Sequence, residues 1–192
     1  EIICRGDSVF KEYYKDPEET SKVIIDGWFH TGDLGSFDEE GYLKITGRKK
    51  DLIITAGGKN VSPTRVEEYL LQSKYLTQAI ILGDREKYLA CLVVLNYEEI
   101  QLWLKQEKII VPEGMKIKDL PEVIKLIEKE IERNSIDLSS YEQVKAFHIL
   151  EHELTVDSGE LTPTLKVKRN VVRARYADII KPLFMKAKPA TA

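Results

Sequence analysis

Cysteine is almost absent from this 192-residue sequence. Cys4 and Cys91 are too far apart and too few for a disulfide framework, so a reducing, cytosolic compartment is expected. Long apolar runs are missing as well. The longest, Leu89 to Leu95, covers seven residues, against roughly 20 for a membrane span. Charge excess is small, with 29 Lys and Arg against 32 Asp and Glu. Charge alone therefore gives no case for nucleic acid. Aromatics make up 8% of the chain, and the basic stretch Lys166 to Lys188 holds only Tyr176 and Phe184. That spacing does not supply the stacking platform of a single-strand reader. With 11 Gly and 7 Pro, collagen-like and low-complexity classes are excluded.

What remains is a chain that is 43% hydrophobic and 32% charged, long enough for a buried core without staples. One domain, or one domain with a smaller piece, is expected. Its basic residues gather at the end: Lys166, Lys168, Arg169, Arg173, Arg175, Lys181, Lys186 and Lys188 face a single acid, Asp178. A basic end of this kind suits phosphate or a membrane surface, and equally a solvated helix face. The opening, Glu1 to Gly6, has no Met and reads as the inside of a β-strand, so a piece of a longer protein is expected.

Local signals divide the chain. Asp16-Pro17-Glu18-Glu19 starts a short helix, with an N-cap acid, Pro at the first position and acids in the first turn. Trp28 to Leu34 reads as one strand, Asp38 to Gly41 as a turn, and Tyr42 to Thr46 as a half-buried strand. Gly47 and the charged Arg48 to Asp51 interrupt the pattern, which places a domain boundary between residues 48 and 49. Beyond it come a strand at Leu52 to Thr55 and a helix capped at Ser62-Pro63, with Val66, Tyr69 and Leu70 on one face. Strands follow at Tyr75 to Leu82 and Tyr88 to Leu95. Helices are expected at Glu98 to Gln106 and Leu120 to Arg133, and a strand at Ala146 to Leu150. One helix over Val167 to Phe184 closes the series, with Val171, Ala174 and Ile179 inward. The mixture predicts an α+β fold.

Four clusters carry the chemistry. In Gly27 to Gly35, Asp33 follows a Gly, and a carboxylate can accept from both hydroxyls of a ribose. A turn Asp capping backbone is the plainer reading of those residues. In Gly47 to Ile53, Arg48 offers a fork of donors and Lys50 lies at the boundary, where hinge motion is natural. An exposed charged linker is the alternative. In Ala56 to Pro63, Gly57 and Gly58 would let a thin ligand lie against bare backbone. The spacing is not that of a phosphate-cradling P-loop. In Leu161 to Arg169, Lys166 is a point charge suited to phosphate oxygens. His148 and His152 lie four apart among strand-forming residues and make no helical ligand pair, so no metal site is expected; Cys91 reads as a core thiol.

In this order the clusters resemble the adenylate-forming superfamily: the T-G-D motif at Gly27 to Gly35, the hinge motif at Gly47 to Pro63, the terminal lysine motif at Thr162 to Arg169. The likeness runs from Glu1 to about Phe184. It is similar to the C-terminal part of an AMP-forming long-chain fatty acyl-CoA synthetase. The long-chain branch is suggested by Leu161 to Arg169, where other branches usually carry Ser-Gly-Lys or Asn-Gly-Lys. The helical insertion Tyr97 to Leu138 and the following Ser139 to Gln143 also resemble that branch.

The resemblance implies that residues 1–48 are the last strands of the N-terminal adenylation domain, and 49–192 a small, mobile C-terminal lid. It assigns Asp33 to the ribose hydroxyls of ATP and acyl-AMP, Arg48 to the same nucleotide, and Lys50 to the hinge. Gly57 and Gly58 match backbone beside the pantetheine tunnel of coenzyme A, with Lys59 a looser match near phosphate. Lys166 matches the catalytic lysine of the first half-reaction. ATP, coenzyme A and a fatty acid are the implied substrates. The magnesium ligand, the acyl pocket and the phosphate loop are implied for an N-terminal domain outside this sequence. A cytoplasmic enzyme is expected, with peripheral membrane contact as a further expectation. The alternatives are a medium-chain, aryl or carrier-protein acylating ligase, or a non-catalytic interaction module with a basic C-terminal helix.

Overall fold

The computed structural model describes residues 1–185; Lys186 and Lys188 of the basic end lie outside them. The chain forms two compact units, Glu1–Leu52 and a larger one that starts at Ile53.

The first unit is built from short strands. β1 (Ile3–Cys4), β2 (Ile24–Ile25) and β3 (Trp28–His30) form an antiparallel sheet in the order β1-β3-β2. α1 (Pro17–Val23) begins where its sequence dictates: Asp16 accepts from the Glu19 N–H at 2.9 Å, satisfying one of the free donors of the first turn. β4 (Asp33–Phe37) and β5 (Leu43–Arg48) make a separate hairpin. Its turn is set by Asp38, whose Oδ1 accepts from the N–H groups of Glu40 and Tyr42 at 3.0 and 2.8 Å. No residue of this unit is buried, and Phe37, Tyr42 and Ile45 on the hairpin are exposed. Two and three short strands cannot enclose a core.

The core lies in the second unit. A hairpin of β6 (Ile53–Ile54) and β7 (Asn60–Val61) leads into α2 (Pro63–Leu70), which buries Val66 and Leu70. β8 (Leu76–Leu82), β9 (Leu89–Leu95) and β10 (Val144–Ile149) form one mixed sheet in the order β10-β9-β8. β9 is central, and all seven of its residues are buried. Both faces of a covered strand must be apolar, which accounts for the continuous run. β10 runs parallel to β9, so the chain between them has to cross over. The crossover holds α3 (Tyr97–Gln106) and α4 (Pro121–Asn134), and this is the structural role of the segment read as an insertion. α4 buries Val123, Ile127 and Ile131, a helical face spaced by four.

Alternation along the strands splits the core into two layers. Ala79, Ile81, Cys91, Val93 and Ile149 face α2, α3 and α4. Ile80, Leu82, Leu92 and Val94 face α5 (Arg169–Arg175) and α6 (Ala177–Met185). The architecture is α+β, as expected.

Local readings differ from the structure at four places. The strand expected over Trp28 to Leu34 is broken at Thr31-Gly32, where Gly32 takes φ +73°. β5 does not stop at Gly47 but continues to Arg48, because β4 pairs with it that far. Between the expected strand at Leu52 to Thr55 and the helix lies a second strand, β7, so Gly57 and Gly58 sit in a hairpin loop. The last helix is two, broken at Tyr176, and Val172 is its buried residue, while Ala174 is exposed.

Candidate functional site

Within the first unit, strand register brings two of the candidate residues together. Asp33 opens β4, Arg48 ends β5, and the two are paired across the hairpin. Arg48 Nε donates to Asp33 Oδ1 at 2.6 Å, and the carboxylate holds the guanidinium above its ordinary value. The pair is partly exposed, with Asp33 at 31%. A carboxylate oriented by Arg through one oxygen keeps acceptor capacity for further donors, such as vicinal hydroxyls. Thr31 supports the start of β4: its hydroxyl donates to the Ile2 carbonyl at 2.8 Å and accepts from the Asp33 N–H at 3.0 Å. Thr31, Gly32, Arg48, Lys49 and Lys50 line a cleft of about 300 Å³. Lys49 is paired with Glu1 at 3.1 Å, and His30 and Lys49 together lower the Glu1 carboxyl. Lys50, in a single 3-10 turn over Lys49–Asp51, is exposed and has no ion-pair partner among the described residues.

In the second unit the loop of the β6–β7 hairpin is closed on itself. Thr55 N–H donates to the Lys59 carbonyl at 3.0 Å, and Gly58 N–H donates to the Thr55 carbonyl at 2.9 Å. Gly58 needs to be glycine for its φ of +72°. Gly57 does not, and a Cβ built there meets only the Thr55 hydroxyl, at 4.0 Å. Both present bare backbone. The Lys59 ammonium lies 5.7 Å from the centre of the Tyr141 ring, within cation–π range.

Lys166 sits on a second closed loop. Leu161 and Val167 form a bridge, and the N–H groups of Thr162 and Lys166 are satisfied inside it, by the Lys166 carbonyl at 2.8 Å and the Thr162 hydroxyl at 3.0 Å. The Lys166 side chain is exposed and its ammonium has no partner among the described residues. Leu165 beside it takes φ +60°, a left-handed conformation that the Gly of other branches would reach without cost.

Two buried acids that the sequence reading passed over anchor this loop. Glu160, with a side chain 2% exposed, accepts from Ser158, Tyr176 and Arg175 at 2.5, 2.9 and 2.8 Å. Burial works to raise its carboxyl, yet those three donors bring it below the usual range. Burial, then the same carboxylate, pushes the Tyr176 hydroxyl up to about 12. Glu67 on α2 accepts from Arg169 at 2.7 Å. Burial raises the Glu67 carboxyl, against the pull of Arg169. The available signal was an acid between Val66 and Leu70 on an apolar helix face, since a buried charge demands a partner.

Three of the basic residues at the end of the chain are engaged by acids. Arg169 pairs with Glu67, Arg175 with Glu160, and Arg173 lies 4.0 Å from Asp84. Cys91 is fully buried, and burial pushes its thiol far up, which suits a core residue.

Residues 50–188 match the family model described as AMP-binding enzyme C-terminal domain. The chain belongs to that family. Among its relatives, the long-chain-fatty-acid–CoA ligase FadD15 of Mycobacterium tuberculosis is 38% identical over 189 residues, covering 97% of this chain and 31% of that ligase. Long-chain-fatty-acid–CoA ligase 6 of Homo sapiens is also 38% identical, over 96% of this chain and 27% of its own. The chain thus spans about a third of the length of these relatives or less. The adenylation domain of a carboxylate reductase from Mycobacterium chelonae has the same fold, at 24% identity and a TM-score of 0.73 over 94% of this chain and 27% of that one. No helix among the described residues is long and apolar enough to cross a membrane.

Proposed function

We propose that this chain is the C-terminal part of an AMP-forming long-chain fatty acid–CoA ligase. Residues 1–48 would complete an N-terminal adenylation domain, and 49–192 would act as its mobile lid. The carrying observation is Lys166: an unpaired, exposed ammonium on a loop closed by its own backbone bonds, in a chain of this family. The relatives' names favour the long-chain acid. The unburied β4–β5 hairpin supports completion by a larger domain.

In the first step the fatty carboxylate attacks the α-phosphate of ATP, forming acyl-AMP and expelling pyrophosphate. Asp33, oriented by Arg48, accepts from the ribose hydroxyls. Lys166 stabilises charge gathering on the α-phosphate and carboxylate. In the second step the coenzyme A thiolate attacks the acyl carbon and AMP leaves. Rotation about Lys50 withdraws Lys166 and brings the bare backbone of Gly57 and Gly58 beside the pantetheine, with Lys59 near its phosphate. Magnesium is assigned to the N-terminal domain, as the resemblance implies, and no step here runs through it. A cytoplasmic enzyme that meets membranes only peripherally completes the reading.

The test uses the full-length protein and both half-reactions. Lys166→Ala should slow pyrophosphate release by about 10²–10³-fold, the loss typical of one transition-state donor. Conversion of presynthesised acyl-AMP and coenzyme A to acyl-CoA should persist. Lys168→Ala, which removes a neighbouring charge, should do little to either. Normal adenylation by Lys166→Ala rejects the assignment of that lysine.

A further inference from the structure

β8 is an edge strand of its sheet, so alternate backbone groups along it face away from β9. At Ile81 both are taken by side chains. The Ile81 N–H donates to Glu67 Oε1 at 2.8 Å, and Arg169 Nη1 donates to the Ile81 carbonyl at 3.0 Å. The two side chains then meet each other, with Arg169 Nη2 at 2.7 and 2.8 Å from the two Glu67 oxygens. Glu67 lies on α2, on one face of the sheet, and Arg169 opens α5 on the other. A partly buried ion pair thus wraps the free edge of β8 and ties the two helical layers together.

Arg169 is three residues from Lys166. We infer that Glu67 is a positioning residue for Lys166: through Arg169 it holds the Lys166 loop in one place on the lid. The Gly57-Gly58 hairpin has ties of its own: its strand pairing, backbone bonds of Ile54 and Ala56 to the turn over Asp84 to Glu86, and the burial of Ile53 and Val61. The consequence is selective. Loosening the bridge misplaces the adenylation loop and spares the thioester loop. The inference rests on the role proposed for Lys166.

The experiment measures both half-reactions in the full-length protein with Glu67→Gln, Lys166→Ala and the double variant. Glu67→Gln keeps the acceptor for Ile81 and removes the charge that holds Arg169. A displacement of about 1 Å costs on the order of 10²-fold in rate. Glu67→Gln should therefore lower kcat for pyrophosphate release by about 10–100-fold with KM for ATP unchanged, since the ribose contacts lie in the other unit. Thioester formation from acyl-AMP should change less than about twofold. In the Lys166→Ala background the substitution should cost nothing more, because the residue it positions is gone. Equal losses in both half-reactions, or a full further loss in the Lys166→Ala background, mean a general structural role and overturn the inference. If Lys166→Ala slows adenylation and Glu67→Gln does not, positioning fails while the role of Lys166 stands. If Lys166→Ala itself adenylates normally, both fall. Glu67→Met with Arg169→Met removes both charges together and strands neither charge, while Ile81 loses both side-chain partners, so its folding is checked first by the urea midpoint. It should show the same selective loss, and normal adenylation by that folded variant also overturns the inference.

Discussion

Glu160→Gln is the sharpest test of how the lysine loop is held. The wild-type carboxylate is 2% exposed and takes three donors, from Ser158, Tyr176 and Arg175. Hydrogen bonds to a charged group contribute about 1.5–3 kcal/mol each. The Arg175 bond is discounted, because that guanidinium is 46% exposed and water replaces its partner. Gln retains one acceptor oxygen and puts an NH2 group in place of the other, so one of the two remaining bonds to a charged acceptor is lost. The net loss is about 2–4 kcal/mol. Urea unfolding of the chain in a Trp28→Phe background, followed by Trp103 in α3, reads the second unit alone. The midpoint should fall with the slope unchanged.

The pH dependence fixes the cause. The folded Glu160 carboxyl lies below its ordinary value of 4.5. Its contribution is therefore complete above the unfolded pKa and is lost as pH falls through the lower, folded one. The gap between wild type and Glu160→Gln should stay constant from pH 6 to 8 and shrink below about pH 4.5. A loss under about 0.5 kcal/mol at pH 7, or a gap that widens in acid, refutes the anchoring role.

Two further predictions concern the lid. Gly58→Ala should cost about 1–2 kcal/mol from its left-handed backbone alone, since nothing lies within 4 Å of the added Cβ, whereas Gly57→Ala should be nearly neutral for stability in the same urea assay. Gly57→Ala should still slow thioester formation in the full-length protein, and an unchanged rate rejects close approach of pantetheine to that backbone. Lys50→Pro fixes φ at the proposed pivot, so acyl-AMP should form and accumulate while acyl-CoA does not; equal loss of both half-reactions counts against a hinge there.

Short-range signals determined much of this protein from sequence alone. Asp16-Pro17 and Ser62-Pro63 start helices, Asp38 to Gly41 turns a hairpin, and the apolar run Leu89 to Leu95 is a covered strand. The motifs that carry the family resemblance were equally legible, because each is a contiguous run of residues. Tertiary structure decided what depends on distant partners. β5 runs on through Gly47 because β4 supplies its hydrogen bonds, and that register alone sets Asp33 against Arg48. The final helix breaks at Tyr176, whose hydroxyl is tied to Glu160. Leu165 holds its left-handed φ inside a loop closed by the Leu161–Val167 bridge. Glu67 and Arg169, 102 positions apart, meet only because β8 is an edge whose backbone needs partners. Periodicity records how a residue relates to its neighbours along the chain. Satisfaction of buried charge and of an open sheet edge is a property of the assembled fold.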